Sequence, residues 1–169
     1  LSDHVIICGF GRNGKQAANK LATHHRDFVV IEKDEQVTQK HKDTSTLFIL
    51  GNANEDEVLV RAGINRACCL ISALPNDSEN VFVVLSARQM NPDIRIISRA
   101  SQETTYSKLK LAGANNVILP DRIGGDHMAS LVVVPDLLEF VDNLSIIGNQ
   151  SINIEEVPIA HATGCGIAG

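Results

Sequence analysis

No apolar run in the 169 residues reaches the roughly 18 needed for a membrane-spanning helix, and no signal peptide opens the chain. These residues therefore read as soluble. Basic side chains are in the minority: 15 Lys and Arg against 20 Asp and Glu leave a net charge of −5. That balance, with neither a helix-turn-helix nor a basic stripe, argues against nucleic acid or an anionic membrane surface as partner. The four cysteines, Cys8, Cys68, Cys69 and Cys165, show no C-x-x-C spacing, and the first three lie in apolar, strand-like runs. They read as buried thiols in a reducing compartment, not as disulfides or metal ligands. The six histidines form no metal-binding set, so surface or capping roles are expected for each and no metal site is assigned. An apolar fraction of 44% in a chain of this length suits one well-packed domain with a fragment of a second.

The most informative stretch runs from His4 to Gly14. Val5, Ile6, Ile7 and Cys8 form a short apolar run of the kind buried on both faces of a sheet, and Gly9, Gly11 and Gly14 follow with G-x-G-x-x-G spacing. Gly9 permits a sharp turn out of the strand, Gly11 lets the backbone approach a pyrophosphate, and Gly14 lets a helix pack closely on the strand. The helix, expected over 15–25, would present its unpaired first-turn amides and positive dipole end to an anion. A second apolar run, Phe28 to Ile31, ends at Glu32, about 20 residues beyond the glycines, where a carboxylate can accept hydrogen bonds from both ribose hydroxyls of an adenosine. A carboxylate there also repels a 2′-phosphate, an exclusion that the neighbouring Lys33 weakens.

The rest of the chain repeats the pattern. Asp34 caps a short polar helix, and Leu47 to Leu50 forms a third strand running into Gly51-Asn52-Ala53. Glu55 to Ala62 reads as a helix closed by Gly63, and Ala67 to Ala73 as a fourth strand. Asn76 and Glu79 have capping-box spacing before an apolar helix, Val81 to Met90. Ile94 to Ser98, Glu103 to Ala112 and Val117 to Leu119 supply strand, helix and strand again. Six strands alternating with helices predict an α/β fold, a Rossmann-like, doubly wound parallel sheet in the order 3-2-1-4-5-6. Its ligand crevice lies over the carboxyl ends of strands one and four, lined by the Gly9 loop, Glu32, Asn52 and the turn from Ala73 to Asp77.

Residues 1–124 form this nucleotide-binding domain, and the segment from Gly125 to Leu144 follows as a helix apolar on more than one side, bent at Pro135. Such a helix needs two surfaces to bury it, so residues 125–148 read as a crossover and dimerisation helix. Residues 149–169, with an isolated strand at Ile152 to Val157, read as the start of a truncated second domain or linker. A core strand so close to Leu1 implies that the natural polypeptide continues upstream.

The run from Val5 to Gly14, Val-Val-Ile-Glu at 29–32, Gly-Asn-Ala at 51–53, Ala-Gly-Ile at 62–64 and Ala-Gly-Ala-Asn-Asn-Val-Ile-Leu-Pro at 112–120 together resemble the RCK, or TrkA-N, domain. The resemblance covers roughly residues 4 to 144. It implies a regulatory domain on the cytoplasmic side of the cell membrane that binds NAD(H) or an adenine nucleotide (ATP, ADP or AMP). It further implies homodimers assembled into a ring beneath a potassium channel or transporter subunit, fused or separate, whose potassium flux they gate. Position by position, Gly9, Phe10, Gly11, Arg12, Asn13 and Gly14 match the phosphate loop, with Arg12 able to reach terminal phosphates near the dimer partner. Glu32 matches the ribose ligand, with Lys33 beside it. Asn52, next to Ala53, falls where the family often has an acid beside the adenine. Ala73, Leu74 and Asp77 match the loop after strand four. In some calcium-gated members acids occupy the position of Asp77 and two more at the end of strand five; those two are Arg99 and Ser101 here, which breaks that calcium site, though not one elsewhere, and Arg99 is better placed as a phosphate or interface cation.

The alternative is an NAD-dependent oxidoreductase, because fold does not determine function. Tyr106 and Lys110 have the Y-x-x-x-K spacing of short-chain dehydrogenases, but the glycine spacing differs, the pair comes too early, and Asp93 stands where the third member would be a serine. A solvated i, i+4 pair is the simpler reading.

Overall fold

The computed structural model describes residues 1–41 and 46–133. In chain order the elements are β1 (Val5–Cys8), α1 (Arg12–Thr23), β2 (Phe28–Glu32), α2 (Glu35–Lys40), β3 (Leu47–Leu50) and α3 (Asp56–Arg61). They continue as β4 (Cys69–Ser72), α4 (Asp77–Met90), β5 (Arg95–Arg99), α5 (Glu103–Leu111), β6 (Asn116–Ile118) and α6 (Pro120–Val133). All six strands pair in parallel in the order β3-β2-β1-β4-β5-β6, so the doubly wound sheet read from the alternation is present.

The central strand shows why its sequence is apolar throughout. Ile6 and Cys8 point into a core shared with Val58 and Leu59 of α3, Val83, Val84 and Ala87 of α4, and Leu109 of α5. Val5 and Ile7 point the other way, into a smaller core with Val30, Ala18 of α1 and Phe10. Burial on both faces leaves no position for a polar side chain, and each fully buried aliphatic contributes roughly 1.5–3 kcal/mol relative to exposure. Burial also pushes the Cys8 thiol up to about 12, so it is an inert thiol. Cys68 and Cys69 are half-buried and unbridged, and Cys165 lies outside the described residues.

Several boundaries differ from expectation. With Gly11 as N-cap, α1 starts at Arg12, ahead of the expected Lys15. A side-chain cap moves α4 back to Asp77: Asn76 accepts from the amides of Ser78 at 2.8 Å and Glu79 at 3.4 Å, which starts the helix ahead of its apolar run. After Gly63, left-handed at φ 79°, a 3-10 turn at Ile64–Arg66 precedes β4, which runs over Cys69–Ser72 and is shorter at both ends than the expected Ala67 to Ala73. The last helix starts at Pro120, ahead of Gly125, because proline suits the first helical position, where no amide is needed. The chain divides into two compact units, Leu1–Gly125 and Asp126–Gly169. In the second unit Met128, Leu131, Val132 and Val133 are exposed; the rest of the expected helix, Pro135 and the strand at 152–157 lie outside the described residues. Among the described residues no helix is long and apolar enough to cross a membrane.

His4 departs from the expected surface role. It is 1% exposed, and its Nε2 lies 2.8 Å from the Ala62 carbonyl oxygen, because it directly precedes β1 and is carried into the interior with it. His41 is half-buried with its ring 5.1 Å from that of Phe10, His24 and His25 close α1 at the surface, His127 is exposed, and His161 lies outside the described residues.

Two polar side chains hold the loop between β4 and α4. Asn80 is fully buried: its Oδ1 accepts from the Ser72 hydroxyl at 2.7 Å and the Leu74 amide at 3.1 Å, and its Nδ2 donates to the Leu74 carbonyl at 3.0 Å. At the start of α4 the Asp77 carboxylate accepts from the amides of Ser101 at 2.8 Å and Gln102 at 3.1 Å, which ties the β4–α4 turn to the β5–α5 turn. Burial pushes the Asp77 carboxyl up, but the Ser101 and Gln102 amides and the hydroxyls of Thr105 and Ser101 together outweigh it and leave it below its ordinary value of 3.8.

Two outcomes follow. Asn80→Leu should lower unfolding free energy by about 1–3 kcal/mol in urea titration, because it takes the acceptor from the half-buried Leu74 amide and the buried Ser72 hydroxyl and leaves the Leu74 carbonyl with Arg99 alone; Ser72→Ala, which removes one donor, should cost less. For Asp77 the folded value lies below the unfolded one, so its contribution is present above the ordinary carboxylate range and drains away as pH falls through the folded value. The stability gap between wild type and Asp77→Asn should therefore be widest above about pH 5 and narrow as pH falls below the ordinary carboxylate value; a gap that stays constant on that descent would contradict the assignment.

Candidate functional site

The carboxyl ends of β1, β2, β3 and β4 open onto a crevice of about 180 Å³. Its floor is backbone and small side chains: Gly9 and Gly11 after β1, Gly51 and Ala53 after β3, and Ala73 after β4. Its walls are Ile31, Glu32 and Lys33 on one side, Leu74, Pro75 and Glu79 on the other, with Asn52 between.

Two glycines make this shape. Gly9 is left-handed at φ 91°, and a Cβ there would stand 3.1 Å from Leu74 Cδ2, so a side chain would be strained and would push the β4 loop away. A Cβ on Gly14 would lie 1.9 Å from the Gly9 carbonyl oxygen, so α1 can approach the loop only without one. At Gly11 an added Cβ would meet no atom of the chain within 4 Å: glycine there keeps space open toward the crevice. As the N-cap of α1, Gly11 also offers no side chain to the first-turn amides, and no acidic residue occupies that turn. Those donors and the helix dipole can serve an anion.

The carboxylate of Glu32 is positioned before any ligand arrives. Its Oε2 accepts from the Phe10 amide at 2.7 Å and its Oε1 from the Asp34 amide at 3.0 Å. Each oxygen keeps a further lone pair for a hydroxyl. Asn52 folds back on its own turn, its Oδ1 accepting from the Asn54 amide at 3.1 Å. Lys33 reaches across the mouth, its Nζ 3.8 Å from Glu79 Oε1.

Of the residues singled out in the sequence, the fold brings Gly9, Gly11, Glu32, Lys33, Asn52, Ala53, Ala73 and Leu74 together around the crevice. Phe10 contributes its amide only; its ring packs edge-on against Phe48 at 4.9 Å, with Lys15 Nζ 5.6 Å above it. Gly14 lies behind the loop, and Arg12 projects from the first turn of α1, exposed and away from the lining. Asp77, expected at the lining, is turned instead onto the Ser101 and Gln102 amides, whose two donors satisfy it more fully than the open mouth could. Among the described residues no three His, Cys, Asp or Glu side chains gather to hold a metal ion.

Asn13 and Arg99 line a second, apolar cavity of about 520 Å³ over Ile71, Ile97 and Ile118, on the sheet face beyond the cover of α1. Arg99 Nη1 is 3.3 Å from the Leu74 carbonyl oxygen, so this side chain supports the crevice wall from behind. Sequence reasoning missed Glu79 as a lining residue, having read it as half of a capping box, and missed Asn80. The signal for Glu79 was its place in the first turn of a helix whose N-terminus opens at the switch point.

Residues 5–120 match the TrkA-N domain. The chain is 43% identical over 145 residues to "Probable potassium channel protein 2" of Methanocaldococcus jannaschii, covering 83% of this chain and 42% of that protein. It is 39% identical over 146 residues to "Potassium channel protein 1" of the same organism, covering 85% and 44%. It thus spans less than half the length of these relatives. Among solved structures, the TrkA-N domain of the inner membrane protein ybaL from Escherichia coli superimposes with a TM-score of 0.74 at 32% identity, over 78% of this chain and 97% of that one. GsuK bound to ADP aligns with a TM-score of 0.68 at 31% identity (77% and 34% covered), and the GsuK channel bound to NAD with 0.69 at 30% (76% and 23%). A match of this extent, on a parallel sheet with a glycine loop and a strand-end carboxylate in these positions, means that the chain belongs to the TrkA-N domain family.

Proposed function

We propose that this chain is a ligand-binding regulatory domain that takes NAD(H) or an adenine nucleotide in the crevice and, from the cytoplasmic side of the membrane, gates potassium flux through an attached or associated pore. The observation that carries the reading is the Glu32 carboxylate, pinned by two backbone amides beside a glycine loop whose helix amides lack a side-chain cap. An adenosine would bond Glu32 through its ribose hydroxyls, rest its diphosphate against the start of α1, and stack between the β2 and β4 walls. The relatives named as potassium channel proteins, and the GsuK structures with ADP and with NAD, support both halves of this reading.

Regulation requires a ligand that binds two arrangements of the assembly with different affinity; moving a population from mostly closed to mostly open takes roughly 5 kcal/mol in total. Several crevices in a ring can supply that at about 1 kcal/mol each. The homodimer that such a ring needs has a candidate contact in the apolar side chains exposed on α6, among them Met128, Val132 and Val133.

An oxidoreductase remains the rival reading. It is disfavoured by Lys110, whose Nζ donates to the Asn115 carbonyl at 2.6 Å, and by Tyr106, exposed on α5; neither lines the crevice.

Calorimetry with NAD and ADP should show Glu32→Ala weakening binding by about tenfold or more, since a hydrogen bond to a charged group contributes about 1.5–3 kcal/mol. Glu32→Gln, which keeps an acceptor for the Phe10 amide, should lose affinity with less loss of thermal stability. Unchanged affinity in both variants would remove the crevice from the proposal, and turnover of NADH with small carbonyl compounds by the purified chain would favour the oxidoreductase.

A further inference from the structure

We infer that Glu79 sets the preference of this crevice for a dinucleotide without a 2′-phosphate over one that carries it, by holding Lys33. The inference rests on the reading that the crevice binds an adenine dinucleotide.

Among the described residues that line the crevice, Lys33 is the single cation, and Glu32 and Glu79 are the two anions. Lys33 follows Glu32 directly, so it is the positive group nearest to any phosphate on a ribose held by Glu32. Left to itself, such an ammonium would offset the repulsion between Glu32 and a 2′-phosphate and blunt the discrimination that Glu32 provides.

Glu79 changes that balance. It stands in the first turn of α4, where a complete capping box would turn its carboxylate back to the Asn76 amide. The carboxylate instead faces across the mouth, with Oε1 3.8 Å from Lys33 Nζ. The Lys33 side chain is 61% exposed and that of Glu79 28%, so water screens the pair, and its influence is modest but of definite sign. Glu79 draws the ammonium toward the β4 wall and adds a second negative charge to the mouth. Both effects act against a ligand with an extra phosphate and leave the two ribose hydroxyls of NAD untouched.

The test is a double-mutant cycle read by calorimetry on the purified chain, with NAD and NADP as the probes. Wild type should bind NAD more tightly than NADP. Glu79→Gln should improve NADP affinity relative to NAD affinity by about two- to fivefold, the range open to a screened ion pair. In a Lys33→Gln background the same Glu79→Gln change should have a much smaller effect on NADP. Equal shifts for both nucleotides in Glu79→Gln, or a gain for NADP that persists undiminished without Lys33, would overturn the role assigned to Glu79. NAD binding with an unmoved NAD-to-NADP ratio sinks this inference alone. Absence of binding by either nucleotide to wild type overturns the reading beneath it as well.

Discussion

The glycine loop is held between a strand and a helix that touch it with no side chain in between. A Cβ on Gly14 would stand 1.9 Å from the Gly9 carbonyl oxygen, and the Gly9 amide donates to the Ile31 carbonyl at 2.8 Å. With both ends of the loop tied, the Phe10 amide has one direction left, toward Glu32 Oε2 at 2.7 Å. The Glu32 carboxylate is thus aimed by the same packing that shapes the loop at the start of α1. Such preorganisation lowers the ordering cost that a ligand would otherwise bear.

The opposite wall depends on a different device. Leu74 packs against the main core, and the backbone groups of its loop are bonded to buried Asn80, with Arg99 on the outside of the same carbonyl. Asp77 then couples this loop to the one after β5. The polar residues near the site therefore divide by task. Glu32, Lys33 and Glu79 face the crevice, whereas Asn80, Asp77 and Arg99 hold its wall. The two walls belong to the two halves of the sheet, β2 and β3 on one side and β4 on the other.

What could be read from the chain, and what could not, follows from the range of the forces involved. The order of strands and helices was legible because each strand is a run of apolar residues punctuated by caps such as Asp34 and Gly63, all local signals. The roles of Gly9, Gly14 and Glu32 in shaping one crevice were legible because a βαβ unit is short and its geometry leaves few alternatives. The interior place of His4, the outward turn of Asp77 and the crevice-facing carboxylate of Glu79 were not legible. Each depends on a partner distant in sequence: Ala62 for His4, Ser101 and Gln102 for Asp77, Lys33 for Glu79.

By itself, then, the sequence determined the sheet, its parallel order and a glycine loop facing an acid at the end of the second strand, since those follow from periodicity and backbone sterics within a few tens of residues. Tertiary structure alone decided which polar side chains enter the crevice and which brace it. A side chain near a loop has several donors or acceptors within reach, and which of them it takes is set only when distant segments are packed together.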